Sequence, residues 1–238
     1  MDGIRNGSEV PDRRREILEA LTKRITIEKK NGAPYVIAID GKTGVGKTEI
    51  ANDLAATLIT HGKKVQIIHM DDYLNPSSIR YGIDESTDFY TRSFNFRKLL
   101  SVLSEIRKNG CLQRVMPLFD TRADTDSKPV PYDIDKDTVV IVEGVFLHKD
   151  IFENCFNLSV FLTATSPAAL RRAQDRNAAD PLDRNVLSPE EMERRYWEKY
   201  DSGFNVYAER ANPVGNSTVL LDFEDPKHPR VLAARQKI

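Results

Sequence analysis

Residues Gly41-Lys42-Thr43-Gly44-Val45-Gly46-Lys47-Thr48 follow the spacing G-x-x-x-x-G-K-[ST], which wraps backbone amides around a chain of phosphates. Gly41, Gly44 and Gly46 let N–H groups turn inward on phosphate oxygens, and a helix starting behind them offers its positive end. Lys47 has the reach for β- and γ-phosphates, and the Thr48 hydroxyl stands where it can ligate Mg²⁺. The flanks suit the motif. An apolar strand from Tyr35 to Asp40 precedes it, and Ile50, Leu54 and Leu58 recur at helical spacing after it.

Holding a triphosphate is not yet a reaction. Phosphoryl transfer also needs a carboxylate at the end of a neighbouring strand, and "IIHMDDYL" supplies Asp71 and Asp72 there. Either can accept a proton from an attacking hydroxyl or help hold the metal. Paired aspartates also end strands and start turns, so the pair alone decides nothing. In "VIVEGVF", Glu143 ends another buried strand; a charge there is costly unless it is paired or metal-linked, which favours a place in the metal's shell over a structural ion pair. Arg172 and Arg176, four residues apart, share a helix face and can both point at phosphates, though charged faces are commonly just solvated. Arg184 falls in the polar segment "NAADPLDRN" that follows. Tyr196, Tyr200 and Phe204 recur at i, i+4, i+8, a stripe that reads as core packing sooner than as a stacking platform for a base.

These residues need a scaffold, and 238 residues with 40% hydrophobic and 30% charged content suit one α/β unit. Strands are expected at 35–40, 65–70, 138–144, 158–164 and 217–222, with helical patterns between them such as 96–108. That alternation predicts a parallel sheet with helices on both faces and a small lid. An N-terminal helical extension spans 1–33, with Pro11 in a first-turn position and Ile17, Leu18, Leu21 and Ile25 on one stripe. The nucleotide domain spans 34–238, with a substrate-side insertion at about 110–137 and a lid at about 172–190. Gly62 reads as a helix stop, Ser166 as an N-cap, and Ser188 with Glu191 as a capping box. Basic and acidic residues number 35 and 36, for a net charge of −1, so no overall field recruits nucleic acid or an anionic membrane. Cys111 and Cys155 show no metal or disulfide spacing, and no run approaches the ~18 apolar residues of a membrane span. The expectation is a soluble cytoplasmic protein, with a homo-oligomer left open.

Taken in order, these motifs resemble the uridine kinase and phosphoribulokinase family, whose relatives include pantothenate kinases. The likeness runs from about residue 33 to 224. The family's phosphate loop appears as "GKTGVGKT", its strand-end aspartate segment as "MDDYL", its Glu-Gly as "EGVFL", and its lid helix as "RAQDRN", with Asn177 where the family has aspartate. The resemblance implies a P-loop kinase fold, ATP with Mg²⁺, and transfer to a hydroxyl of a small molecule. It makes Asp71 the closest match to the catalytic base, with Lys47, Arg172 and Arg176 catalytic and Thr48, Glu143 and Asp71 around the metal. The substrate side matches less well: "STDFYTRSFNF" replaces an Asp-His-Pro segment, and in "LFDTRADTDSK" Asp120 is kept while Asp124 stands about where a base-contacting histidine would be. An acceptor-only carboxylate in place of that ring changes which base edge fits, or rejects a base. Asp72, Tyr73, Asp88, Tyr90, Arg92, Asp120, Arg122 and Asp124 remain the substrate-side candidates, and the adenine is expected against backbone near Gly215 and Asn216.

Other P-loop readings fit less well. A regulatory GTPase should carry an Asn/Thr-Lys-x-Asp motif, and none is present. A motor-type ATPase should end its second acidic strand in Asp-Glu, whereas here it ends Glu-Gly. A non-kinase nucleotide-binding module, or a phosphoribulokinase- or pantothenate kinase-like acceptor, stays open.

Overall fold

The elements follow from where the apolar runs break. In the computed structural model, which describes residues 12–29, 32–82, 84–179 and 187–235, helix α1 (Asp12–Glu28) leads into β1 (Tyr35–Gly41), the glycine-rich loop, α2 (Lys47–Thr60) and β2 (Lys64–His69). A 3₁₀ turn, Met70–Tyr73, follows, and then α3 (Ser77–Arg80), α4 (Glu85–Thr91) and α5 (Phe96–Asn109). The hairpin β3 (Leu112–Asp120) and β4 (Thr125–Ile134) precedes β5 (Thr138–Gly144), β6 (Leu158–Thr163) and α6 (Ser166–Ala179). Helix α7 (Pro189–Arg195) runs through a π-helical turn, Tyr196–Asp201, into α8 (Ser202–Ala211). A short α9 (Pro213–Asn216) then leads to β7 (Val219–Asp222) and β8 (Arg230–Ala234).

The main sheet has the order β2-β5-β1-β6-β7-β8. Its first five strands pair in parallel, and β8 adds antiparallel at the edge. The five parallel strands are those the sequence predicts. Strand β8 is not anticipated, because an exposed edge strand reading "RVLAA" lacks a long apolar run. The insertion is a two-stranded antiparallel hairpin with a bulge at Leu118/Phe119.

Side-chain alternation along β1 and β5 sorts two cores. Val36, Ala38, Val140 and Val142 face one side, where α5 brings Leu99, Val102, Leu103 and Ile106, and α8 brings Phe204 and Tyr207. Ile37, Ile39, Val139 and Ile141 face the other, covered by α2 and by Ile17, Leu18, Leu21 and Ile25 of α1. Each such aliphatic side chain contributes about 1.5–3 kcal/mol when fully buried, so the stripe of four is ample reason for α1 to dock. Tyr196 and Phe204 are buried and Tyr200 packs against the same cores, which makes that stripe core packing.

Local signals mostly act as their residue types suggest. Gly62 takes a left-handed φ of 72° just past α2, and Ser188 with Glu191 forms the capping box of α7. Ser166 does not cap α6, because the helix already includes it. The Thr165 hydroxyl lies 3.4 Å from the Ala168 amide, and the Ser166 hydroxyl donates to Asp201 at 2.5 Å. Pro11 and the segment around Arg184 lie outside the described residues. Among the described residues, no helix is long and apolar enough to cross a membrane.

One buried cation fixes α1 to α2. Arg14, 3% exposed, places Nη1 2.7 Å from Glu49 and Nη2 2.6 Å from Asp53. Charge-assisted bonds of this kind are worth about 1.5–3 kcal/mol. Arg14→Ala should therefore lower the unfolding free energy by about 1.5–3 kcal/mol, read from the denaturant midpoint; an unchanged midpoint would mean that apolar packing alone holds α1.

Candidate nucleotide and phosphoryl-transfer site

The loop between β1 and α2 takes its shape from close contacts that exclude side chains. Gly44 has φ 82°, and a Cβ there would lie 2.2 Å from the Ala169 carbonyl oxygen on α6. Gly46, at φ 109°, turns the chain into α2 against the ring of Phe223. Val45 is the fully buried pin of the loop, and its amide donates to the Lys42 carbonyl at 3.2 Å. Lys47 Nζ donates to that same carbonyl at 2.8 Å, so its ammonium lies across the loop mouth. Burial lowers the Lys47 pKa, with Arg176 adding to the effect, against the attraction of Glu143, Asp71 and Asp40.

Strand parity explains which carboxylates reach this mouth. Glu143 follows Val139 and Ile141, so it points toward α2, where it accepts from the Thr48 hydroxyl at 3.2 Å. His69 at the end of β2 donates to the same oxygen through Nδ1 at 2.7 Å. Burial alone would raise the Glu143 pKa, but the bonds from His69 and Thr48 and the charge of Lys47 outweigh it and hold it below the usual value. The bond to Glu143 raises the pKa of His69 in turn. Gly144 then matters for its missing side chain, since a Cβ there would lie 2.2 Å from Met70 Cβ. That approach seats the Met70–Tyr73 turn on the end of β5 and brings Asp71 beside Glu143. Asp71 opens to solvent on its outer side; the protein packed around the rest raises its pKa, as does Glu143, while Lys47, Arg176 and His69 pull it down.

Thus Lys47, Thr48, Asp71, Glu143 and Arg176 come together, whereas Arg172 goes elsewhere. Its Nη1 donates to the Val45 carbonyl at 3.3 Å and its Nη2 to the Glu224 carbonyl, which clamps the back of the loop. The substrate-side candidates are largely engaged with the protein. Asp72 pairs with Lys128 of β4 at 2.7 Å, and Tyr73 shares a buried hydroxyl contact of 2.8 Å with Tyr132. Asp88 accepts from the Gly82 amide at 2.7 Å and lies 3.8 Å from Arg92, whose Nε binds the Ile79 carbonyl. Asp120 takes the Arg122 amide in the hairpin turn. Asp124, at φ 51°, accepts from the Ser77 amide and hydroxyl and from Arg80, tying the hairpin tip to α3. Tyr90 is buried with its ring 3.3 Å from Lys149 Nζ.

Three features escape a motif search. Asp40, at 0% exposure, accepts from the Gly41 amide at 2.6 Å, the Leu147 amide at 3.1 Å, His148 Nδ1 at 2.8 Å and the Tyr207 hydroxyl. Its one signal is an aspartate closing the apolar run "YVIAID". His69 is flagged only by its place before "MDD". Lys42, a variable position of the loop spacing, donates to Ser166 at 2.7 Å and pairs with Asp201 at 3.1 Å, so the loop is latched to the π-helical turn.

A mostly parallel sheet with this loop between its central strand and a covering helix defines a P-loop nucleotide-binding protein with a kinase-like fold. Residues 36–154 match the family described as the CobQ/CobB/MinD/ParA nucleotide binding domain, and the chain belongs to that family. It is similar to a uridine kinase of Limosilactobacillus reuteri, 30% identical over 128 residues that cover 51% of this chain and 55% of the relative. The chain thus spans about half the length of that relative. A uridine kinase of Brevibacillus brevis is 24% identical over 213 residues, covering 87% and 97% of the two chains. A structure described as a possible uridine kinase from Bacillus stearothermophilus superposes with a TM-score of 0.67 at 22% identity, over 87% of this chain and 97% of the other. The uridine kinase-like resemblance carried by the loop and strand-end motifs is borne out.

The loop geometry is directly testable. Gly44→Ala adds a methyl group where φ is 82° and a carbonyl oxygen lies 2.2 Å away, so nucleotide affinity should fall by about tenfold or more while the circular dichroism spectrum is kept. Wild-type affinity for a fluorescent ATP analogue would show that the loop relaxes at no cost.

Proposed function

We propose that this chain is a kinase that moves the γ-phosphoryl group of ATP to a hydroxyl of a small metabolite. The observation that carries the reading is the meeting of Thr48, Glu143, Asp71 and Lys47 at adjacent strand ends, with Glu143 bonded on one oxygen by Thr48 and His69. In this reading the amides of Gly41 to Thr48 and the Lys47 ammonium hold the phosphates. Asp71 orients the acceptor hydroxyl and takes its proton; a carboxylate whose pKa is raised by its surroundings is a better base than a free one. Arg176, near Asp71 and Lys47, neutralises charge on the group in transfer. Arg172 acts earlier, by holding the loop through the Val45 carbonyl.

The residues fit Mg²⁺. Thr48 and Glu143 offer hard oxygen donors, with Asp71 beside them, and among the described residues no group of three or more His, Cys, Asp or Glu forms a complete metal cage. This suits an ion that keeps most of its waters and leans on the phosphates. An ion held by Thr48 and Glu143 would supply neutralisation of phosphate charge. Similarity to uridine and pantothenate kinases supports a small-molecule acceptor. The reading places the reaction in the cytoplasm, where ATP is abundant, and requires neither nucleic acid nor a membrane.

A second reading, a nucleotide-binding ATPase without an acceptor, draws on the family description itself. Closure that excludes water separates the two. Coupled ADP release with Mg·ATP should be slow alone and rise sharply with an acceptor; equal rates with and without every acceptor would favour the ATPase. Lys47→Ala should abolish turnover. Asp71→Asn should lower kcat by about 10²–10⁴-fold with ATP binding nearly intact, and wild-type kcat in that variant would remove Asp71 as the base.

A further inference from the structure

Beyond Asp71, the cleft wall carries charge that phosphoryl transfer does not use. Lys199 lies in the π-helical turn at 8% exposure, and its ammonium has rings beside it: Nζ is 4.8 Å from the ring centre of Tyr81 and 5.8 Å from that of Tyr200. Burial lowers its pKa; Tyr81 and Glu85 oppose this, and Arg195 and Arg80 reinforce it. The Arg80 guanidinium stands 5.7 Å from the same Tyr81 ring and 5.2 Å from Phe119. Its Nη2 reaches Asp124 at 3.3 Å, and its Nε is buried with no partner. Tyr200 joins this wall to the reacting centre: burial raises its pKa, the charge of Arg195 and a hydrogen bond with it lower it, and the charge of Asp71 raises it again.

Among the described residues this wall carries more basic than acidic groups. Glu198 takes Arg194 at 2.6 Å, Glu85 stands between Arg194 at 3.5 Å and Lys199, and Asp124 is shared with Ser77. Among the described residues Lys199 is left with the ring faces of Tyr81 and Tyr200, and Arg195 with a hydrogen bond to Tyr200. A buried ammonium among other cations is costly, and a cation–π contact returns only about 0.5–2 kcal/mol. Such a group, on a wall that meets the reacting centre at Tyr200, calls for a ligand that brings the opposite charge. The π turn is a second and independent sign, since single π turns within α-helices are rare and concentrate at functional sites.

We propose that the phosphoryl acceptor is an anion: a small hydroxy compound whose oxyanion group is held by Lys199 and Arg195 beside Tyr81 and Tyr200 while its hydroxyl reaches Asp71. This rests on the kinase reading and narrows it, because a neutral nucleoside brings nothing to compensate Lys199. A carboxylate and a phosphate monoester share the required chemistry, and matched pairs of compounds tell them apart.

The test uses the full chain and ADP release with Mg·ATP on glycerate against glycerol, pantothenate against pantothenol, and ribulose 5-phosphate against ribulose. The charged member of at least one pair should be turned over at least tenfold faster than its neutral partner, and which pair responds separates carboxylate from phosphate. Lys199→Gln should raise KM for that acceptor at least tenfold, and Lys199→Arg should recover most of the loss. Arg195→Gln, a change on a half-buried side chain, is the second variant should the π turn not tolerate the first. Preference for uridine or cytidine with the charged compounds silent would overturn the proposal, as would an unchanged KM in Lys199→Gln. If nothing accelerates ADP release, the kinase reading has failed, and calorimetric titration of inorganic phosphate into protein whose loop is filled by Mg²⁺ and a non-hydrolysable ATP analogue decides the anion site separately. Binding lost in Lys199→Gln upholds it; no binding, or equal binding to both proteins, overturns it.

Discussion

The buried carboxylate of Asp40 is the point on which the site is hung. It takes its hydrogen bonds from the loop at Gly41, from Leu147 and His148 in the segment after β5, and from Tyr207 on α8. A charge at 0% exposure would cost several kcal/mol if left unpaired, so these donors have to arrive together. The demand of one side chain for partners therefore ties the start of the phosphate loop to two elements distant in sequence. The same logic recurs on a smaller scale where Lys42 meets Ser166 and Asp201, and again where Arg172 grips the Val45 carbonyl. The loop is held at its start, its second residue and its crown before any nucleotide enters.

Opposite parities on neighbouring strands then divide the labour. Asp40, in phase with Val36 and Ala38, faces the α8 side and ties the loop to it; Glu143, in phase with Val139 and Ile141, faces α2 and accepts from Thr48 at the start of that helix. One residue of slip in either strand would exchange these faces, which the six paired positions between β1 and β5 prevent. Gly144 completes the arrangement by admitting Met70, and with it Asp71, to the end of β5. The raised pKa of Asp71 and the lowered pKa of Glu143 express the difference between two neighbouring carboxylates: burial pushes both up, and His69, Lys47 and Thr48 outweigh it at Glu143, whereas at Asp71 the charge of Glu143 adds to burial and exceeds the pull of Lys47, Arg176 and His69.

Much of this was legible in the sequence, for reasons that are physical. Buried parallel strands are written as continuous apolar runs, so β1, β2, β5, β6 and β7 were readable, as was the loop, whose glycines answer to backbone geometry. Glu143 was readable because an acid ending an apolar run needs a reason. Strand β8 was not, since an exposed edge imposes no such pattern. The helix that opens at Pro189 was readable from its capping box and the stripe of Tyr196, Tyr200 and Phe204, but not its π turn, because helical periodicity does not register one extra residue. The acids on the substrate side, Asp72, Asp88, Asp120 and Asp124, looked like a polar pocket, yet each is bonded within the protein. Sequence spacing gives residue types near a site, whereas the partner that occupies each lone pair is a matter of tertiary contact.

The π turn at Tyr196–Asp201 has a consequence for descent with modification. An extra residue absorbed as a single π turn re-aims one turn of side chains and leaves the flanking helices in register. Tyr200 and Lys199 lie in that turn, while Met192 before it and Phe204 after it stay in their cores. Gain or loss of the insertion would keep those cores in register but would move Asp201, and with it the latch on Lys42 of the phosphate loop. A change of helical pitch at one end of the molecule is therefore felt at the phosphate loop through a single ion pair.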